Sequence, residues 1–93
     1  MEIKHRTDVK NGYFYYEKDG KELAQMAYVW AGPDKMIIDH TEVDDSLKGQ
    51  GVGKKLLAQL VDFVRQEKIK VIPLCPFAKA TIQKTKEWQD IVA

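Results

Sequence analysis

Between Val43 and Lys54 the hydrophobic pattern of this chain changes period, and few folds accommodate that change. After it, Val52, Leu56, Leu57, Leu60, Val61 and Val64 recur at helical spacing, with Lys54, Lys55, Gln59, Asp62, Arg65 and Gln66 on the other face. Before it, the pattern is that of strands. Tyr13-Phe14-Tyr15-Tyr16 is an aromatic run suited to a pleated surface, and Asp19-Gly20 after it is a hairpin-turn signal. Leu23 to Trp30 follows, with Ala24, Met26, Tyr28 and Trp30 on one face, a stripe that reads as core. Gly32-Pro33-Asp34 breaks this strand, Met36 to Val43 makes the next, and Glu2 to Asp8 adds a shorter one at the edge.

Beyond the helix, Ile69 to Leu74 reads as a short buried strand, and Pro76 suits the first turn of a second helix. Strand, helix, strand in this order implies a right-handed crossover and a parallel pair. The expected class is α+β: an antiparallel meander, one βαβ unit and a C-terminal helix, in a single domain spanning residues 1–93. The 15 Lys and Arg against 14 Asp and Glu leave a net charge of +1, which argues against a dedicated nucleic-acid binder. The one cysteine makes no internal disulfide. The charged first residues show no signal-peptide pattern, and Met26 to Ala31, the longest apolar run, is far short of the roughly 20 residues of a membrane span. The expectation is a cytoplasmic protein, a monomer or weak dimer, with no membrane or nucleic-acid partner. With one cysteine and His5 remote in sequence, no metal cluster is expected.

The chemistry concentrates where the period changes. Gly49, Gly51 and Gly53 alternate with Gln50 and Val52 between Lys48 and Lys54, where a strand ends and a helix begins. Without Cβ atoms the backbone can approach a ligand closely, and the first helical N–H groups are left free to hold a phosphate. Lys48 and Lys54 would add charge. The spacing is neither the dinucleotide fingerprint nor the P-loop. A tight turn that merely starts a helix is the alternative.

The stretch Lys48-x-x-Gly51-x-Gly53 resembles the Gln/Arg-x-x-Gly-x-Gly/Ala signature of GNAT-type N-acetyltransferases, with Lys48 in place of Arg or Gln. Together with Asp39-His40-Thr41-Glu42-Val43 and Pro73-Leu74-Cys75-Pro76-Phe77-Ala78, it is similar to a compact branch of stand-alone domains in that family. The resemblance implies acetyl-CoA as acyl donor. It places the coenzyme A pyrophosphate on the amides of Gly49, Gln50, Gly51, Val52, Gly53 and Lys54, and the pantetheine arm along Thr41 to Val43 in a splay between the parallel strands. Full-size members carry helices between the first strands and more strands after the second helix; here the first hairpin is tight.

Many members of that family carry Asn-x-x-Ala-x-x-x-Tyr-x-Lys after the second parallel strand, the Tyr protonating the departing thiolate. This chain has Cys75-x-x-Ala78-x-x-x-Ile82-x-Lys84, so the usual acid is absent and a thiol stands nearby. At a helix N-terminus a thiolate is stabilised and could accept the acetyl group and pass it on; as a small hydrophobe it would simply pack. His40 and Glu42, on one face of their strand with Thr41 opposite, are candidates for the base that deprotonates an ammonium acceptor, or else are ordinary surface residues. Three functions compete: an N-acetyltransferase acting on an amine of unspecified identity, a non-catalytic CoA- or acyl-CoA-binding module, and a structural domain that keeps a glycine turn.

Overall fold

Asp19 and Gly20 both adopt left-handed backbone, with φ of 52° and 79°, and reverse the chain between two long antiparallel strands. The structure, a computed structural model, describes residues 1–93. Its strands are β1 (Lys4–Thr7), β2 (Asn11–Lys18), β3 (Lys21–Trp30), β4 (Lys35–Val43) and β5 (Lys70–Pro73). They form one sheet in the order β1-β2-β3-β4-β5, with every neighbour antiparallel except the parallel pair β4–β5. Helix α1 (Val52–Glu67) is the crossover between β4 and β5, and α2 (Pro76–Lys84) follows β5 with Pro76 in its first turn. The expected α+β class and element order hold; two short 3₁₀ segments, Asp45–Leu47 and Lys86–Ile91, were not legible beforehand.

The core is one cluster of 20 buried residues in which Ala24, Met26, Tyr28, Met36 and Ile38 of the sheet meet Leu56, Leu57, Leu60, Val61 and Val64 of α1. Ala78 and Ile82 of α2 and Trp88 and Ile91 beyond it join the same cluster. Ile82, which stands where the family resemblance implies a Tyr, is 1% exposed, so this position belongs to the core. The C-terminal residues are clasped in place: Arg65 donates to both Asp90 carboxylate oxygens, at 2.7 and 3.1 Å, and Ala93 N–H donates to Val71 C=O at 2.9 Å. Val92 bridges Val71, so the outer edge of β5 is covered.

Two irregularities in β4 position everything that follows. Tyr28 pairs with Ile38 but Ala27 pairs with His40, so Asp39 is an extra, unpaired residue. Before this bulge Met36 and Ile38 face the core. After it, Thr41 and Val43 lie opposite Met26 and Ala24 on the helix-covered face, while His40 and Glu42 turn to the other face. The second irregularity is the end of the parallel pairing at Ile38–Pro73. Leu74 and Cys75 both donate their N–H groups to Ile38 C=O, at 3.1 and 3.0 Å, and the chain then turns into α2. Beyond Ile38 the β5-facing edge of β4 is open.

At the far side of the sheet, β1 is held by aromatic packing. His5 stacks on Phe14 with ring centroids 4.0 Å apart, meets Phe63 of α1 edge-on at 4.6 Å, and shares a 2.6 Å hydrogen bond with the Tyr28 hydroxyl. That hydroxyl sits over Gly12, where an added Cβ would collide with it and come within 2.7 Å of Arg6 C=O. Burial pushes the His5 imidazole below its ordinary value of 6.5, because the charged form loses solvation there. The unfolded chain therefore binds the proton more readily. The stability that neutral His5 contributes is fully present above about pH 6.5 and is lost as the pH falls below that value towards the folded-state pKa. Thermal melts between pH 7 and pH 5 should show a falling midpoint, and His5→Gln should be less stable at pH 7 with a flatter pH profile.

Candidate active site

Two cavities meet at the end of β4. The smaller, of about 370 Å³, lies between the open edge of β4 and the start of α1 and is lined by Thr41, Val43, Lys48, Gly49, Gly51 and Gly53 together with Leu47, Val52 and Phe77. The larger, of about 670 Å³, shares Thr41 and Val43 and extends over Glu22, Gln25, Glu42 and Asp44. Three carboxylates and no basic side chain line this second cavity. The Asp44 side chain caps the Asp45–Leu47 turn, accepting from Ser46 N–H at 3.0 Å and from Ser46 O–H at 2.5 Å. These hydrogen bonds, the Ser46 hydroxyl first, hold its carboxyl below the usual 3.8. Leu47 is buried beneath the turn and anchors the glycine loop to the core.

The glycines have separate roles. Gly49 and Gly51 adopt φ of 82° and 67°, and nothing lies within 4 Å of a Cβ built on either. Gly51 is the N-cap of α1 and makes no side-chain cap; Gly51 C=O accepts the first helical bond, from Lys55 N–H at 3.1 Å. The N–H groups of Gly49, Gly51, Val52, Gly53 and Lys54 donate to no protein acceptor, while Gln50 N–H is used by Leu47 C=O at 3.2 Å. Gly53 differs: a Cβ there would meet the Phe77 ring at 2.6 Å, so this glycine lets α2 lay its aromatic against α1. Of the residues the sequence singles out, Gln50 and Lys54 do not line the cleft. Phe77 and Leu47 do; Phe77 falls in the stretch that carries the family resemblance, while Leu47 has only its apolar type to mark it.

Cys75 is the N-cap of α2 but its sulfur makes no capping bond to that helix. It is 5% exposed, lies in the core cluster and has its hydrogen bond with Thr41, Sγ to Oγ1 at 3.2 Å. The sulfur therefore stands behind a residue that lines both cavities without lining either itself. His40 and Glu42 form an exposed pair at 2.9 Å on the opposite face of β4. The structure thus joins Cys75 to Thr41 and His40 to Glu42, the two pairs separated by the thickness of one strand at the place where the sheet is open.

The site thus combines a mixed sheet with a bulged fourth strand, a gap before the fifth and a glycine-capped helix facing that gap. The chain matches the family of GCN5-related N-acetyl-transferases over residues 12–91 and belongs to it. It is 37% identical to a GCN5-like protein of Staphylococcus aureus whose solution structure superimposes with a TM-score of 0.73, covering 99% of this chain and 87% of that one. It is 28% identical over 83 residues to Protein NATD1 of Xenopus tropicalis, covering 88% of this chain and 76% of the relative. The ribosomal-protein-S18-alanine N-acetyltransferase of Escherichia coli shares the fold at 19% identity and a TM-score of 0.68, and there this chain spans 53% of the longer protein. No helix is long and apolar enough to cross a membrane.

The backbone of Gly51 limits what a substitution there can report. A valine at this φ of 67° is strained whatever the ligand does, so it cannot probe binding alone. Urea unfolding should show Gly51→Val destabilised by about 1–3 kcal/mol. Gly51→Asn, whose side chain tolerates left-handed backbone, should lose less than half of that. Equal losses would mean that φ is not what glycine supplies at this position.

Proposed function

We propose that residues 1–93 act as one acyl-CoA-dependent N-acetyltransferase, taking acetyl-CoA as donor and an amine as acceptor. The observation that carries this reading is the set of free amides at the start of α1, five N–H groups without a protein acceptor beside a cleft where Gly49 and Gly51 leave open space. Such a set suits a pyrophosphate, with the helix dipole adding to it and Lys48 supplying mobile charge at the rim. The open edge of β4 from Thr41 to Val43 offers backbone groups to the amides of a pantetheine arm, as an added strand would. The neighbouring cavity, with Glu22, Glu42 and Asp44, suits a cationic amine. A free thiol suits a reducing, cytoplasmic compartment, and the protein acts as a monomer or weak dimer.

In this reading the Cys75 thiolate attacks the thioester carbonyl. The bond from the acetyl carbon to Sγ forms as the bond to the CoA sulfur breaks, and the CoA thiolate takes up the proton the cysteine lost. The amine then attacks the acetyl-cysteine, the Cys75 thiolate leaves, and the amine's surplus proton passes by way of the His40–Glu42 pair or water to that sulfur, regenerating the thiol. Nothing else need be consumed. The 5% exposure of Cys75 favours a second reading, a CoA-binding module that does not turn over.

Titration with CoA, followed by amide chemical shifts, should move residues 48–54. Gly51→Asn should weaken binding more than Lys48→Ala, and added salt should weaken it only modestly. No shift at these amides would overturn the function. Intact-mass spectrometry after incubation with acetyl-CoA should show one acetyl adduct, absent in Cys75→Ala. Binding without an adduct or any acetylated amine would leave the module reading.

A further inference from the structure

The Cys75 sulfur has turned away from its own helix. An N-cap side chain ordinarily bonds the free N–H groups of the turn it starts, and this one does not. It reaches across the gap between the two parallel strands to Thr41 on β4, the side-chain hydrogen bond that joins them beyond the last paired residues. Two features bring the partners together. Ile38 C=O, immediately before the bulge, holds the N–H of Cys75. The bulge then rotates Thr41, three residues on, to the helix-covered face; in an unbroken strand the alternation from Met36 and Ile38 would have put Thr41 on the other side.

The remaining polar candidates lie elsewhere. Asp39, His40 and Glu42 of β4 are exposed, the last two facing away from the helices, and Lys79 of α2 is exposed. Ala78 and Ile82 of α2 are apolar core. Thr41 is therefore the polar side chain to which the thiol is bonded, and it is also part of the wall of both cavities.

We propose that Thr41 is the positioning residue of this site: its hydroxyl holds the Cys75 sulfur directly behind the cleft wall and donates to that sulfur whenever it is a thiolate. The proposal rests on the acetyl-transfer reading above for its catalytic consequence, but the pair itself can be tested without it. A hydroxyl rotates freely. It accepts from the thiol S–H and donates to S⁻, so one side chain serves both states the covalent route passes through. A hydrogen bond to a charged group is stronger than one to a neutral group, so the thiolate gains more than the thiol, and the attacking form is favoured without a charged neighbour. The same bond fixes the sulfur's rotamer at the point where the sheet opens.

The experiment compares the parent protein with Thr41→Val, which keeps the shape and removes the hydroxyl, and Thr41→Ser, which keeps the hydroxyl. Thr41→Ala serves if the valine does not fold. Thiolate formation, read by ultraviolet absorbance against Cys75→Ala, should move to higher pH by about one unit in Thr41→Val and return most of the way in Thr41→Ser. At saturating acetyl-CoA the rate of adduct formation on Cys75 should fall about tenfold in Thr41→Val and recover in Thr41→Ser. A merely structural threonine would move the melting temperature and the affinity and leave the titration where it was. An unchanged titration in folded Thr41→Val overturns the proposal. If the parent forms no adduct while the titration shifts as expected, the covalent route through Cys75 fails and the Thr41–Cys75 coupling stands.

Discussion

The parallel pairing of β4 and β5 lasts four residues and then stops, and the site depends on that stop. Pro73 has no N–H to extend the ladder, and a single carbonyl, that of Ile38, absorbs the next two donors as the chain leaves the sheet. A continuous parallel pair would have sealed the sheet between Thr41 and Cys75. The division instead leaves one strand edge open, one thiol beside it and a helix start facing it. The core beneath is closed and apolar, so this opening is set in a rigid frame rather than in a loose end.

The frame also explains why the loop after β4 can present unpaired amides. Such groups are costly when buried and unremarkable when exposed to water, so they are tolerated only if something else fixes the loop. Leu47 does this from below and Asp44 does it from within, through the two bonds to Ser46. The donors are then held in place before any ligand arrives, which reduces the ordering that binding would otherwise cost.

Much of this was legible in the sequence, for reasons that can be traced residue by residue. The helix over Val52–Glu67 and the break at Gly32-Pro33-Asp34 follow from periodicity and turn chemistry, and the free amides follow from glycine at a helix start. The bulge was hidden because Ile38-Asp39-His40-Thr41 contains no glycine or proline to mark it, and the polar residues after Ile38 read the same in either phase. Gly53 looked like its two neighbours; only the approach of Phe77, a tertiary contact between two helices, separates a packing glycine from a turn glycine. The orientation of the Cys75 sulfur was out of reach for the same reason, since its partner lies 34 residues away on another strand.

The extra residue in β4 has a consequence for how such a site can be gained or lost. Point substitutions at Asp39 leave the strand's phase as it is, since the phase counts residues and is indifferent to their identity. Removing the Asp39 codon would restore plain alternation with the same partners, leaving Thr41 and Val43 on the helix-covered face and His40 and Glu42 on the other. The choice of faces is therefore robust both to substitution of the extra residue and to its loss; what the bulge alone supplies is the local bend of β4 where the sheet opens.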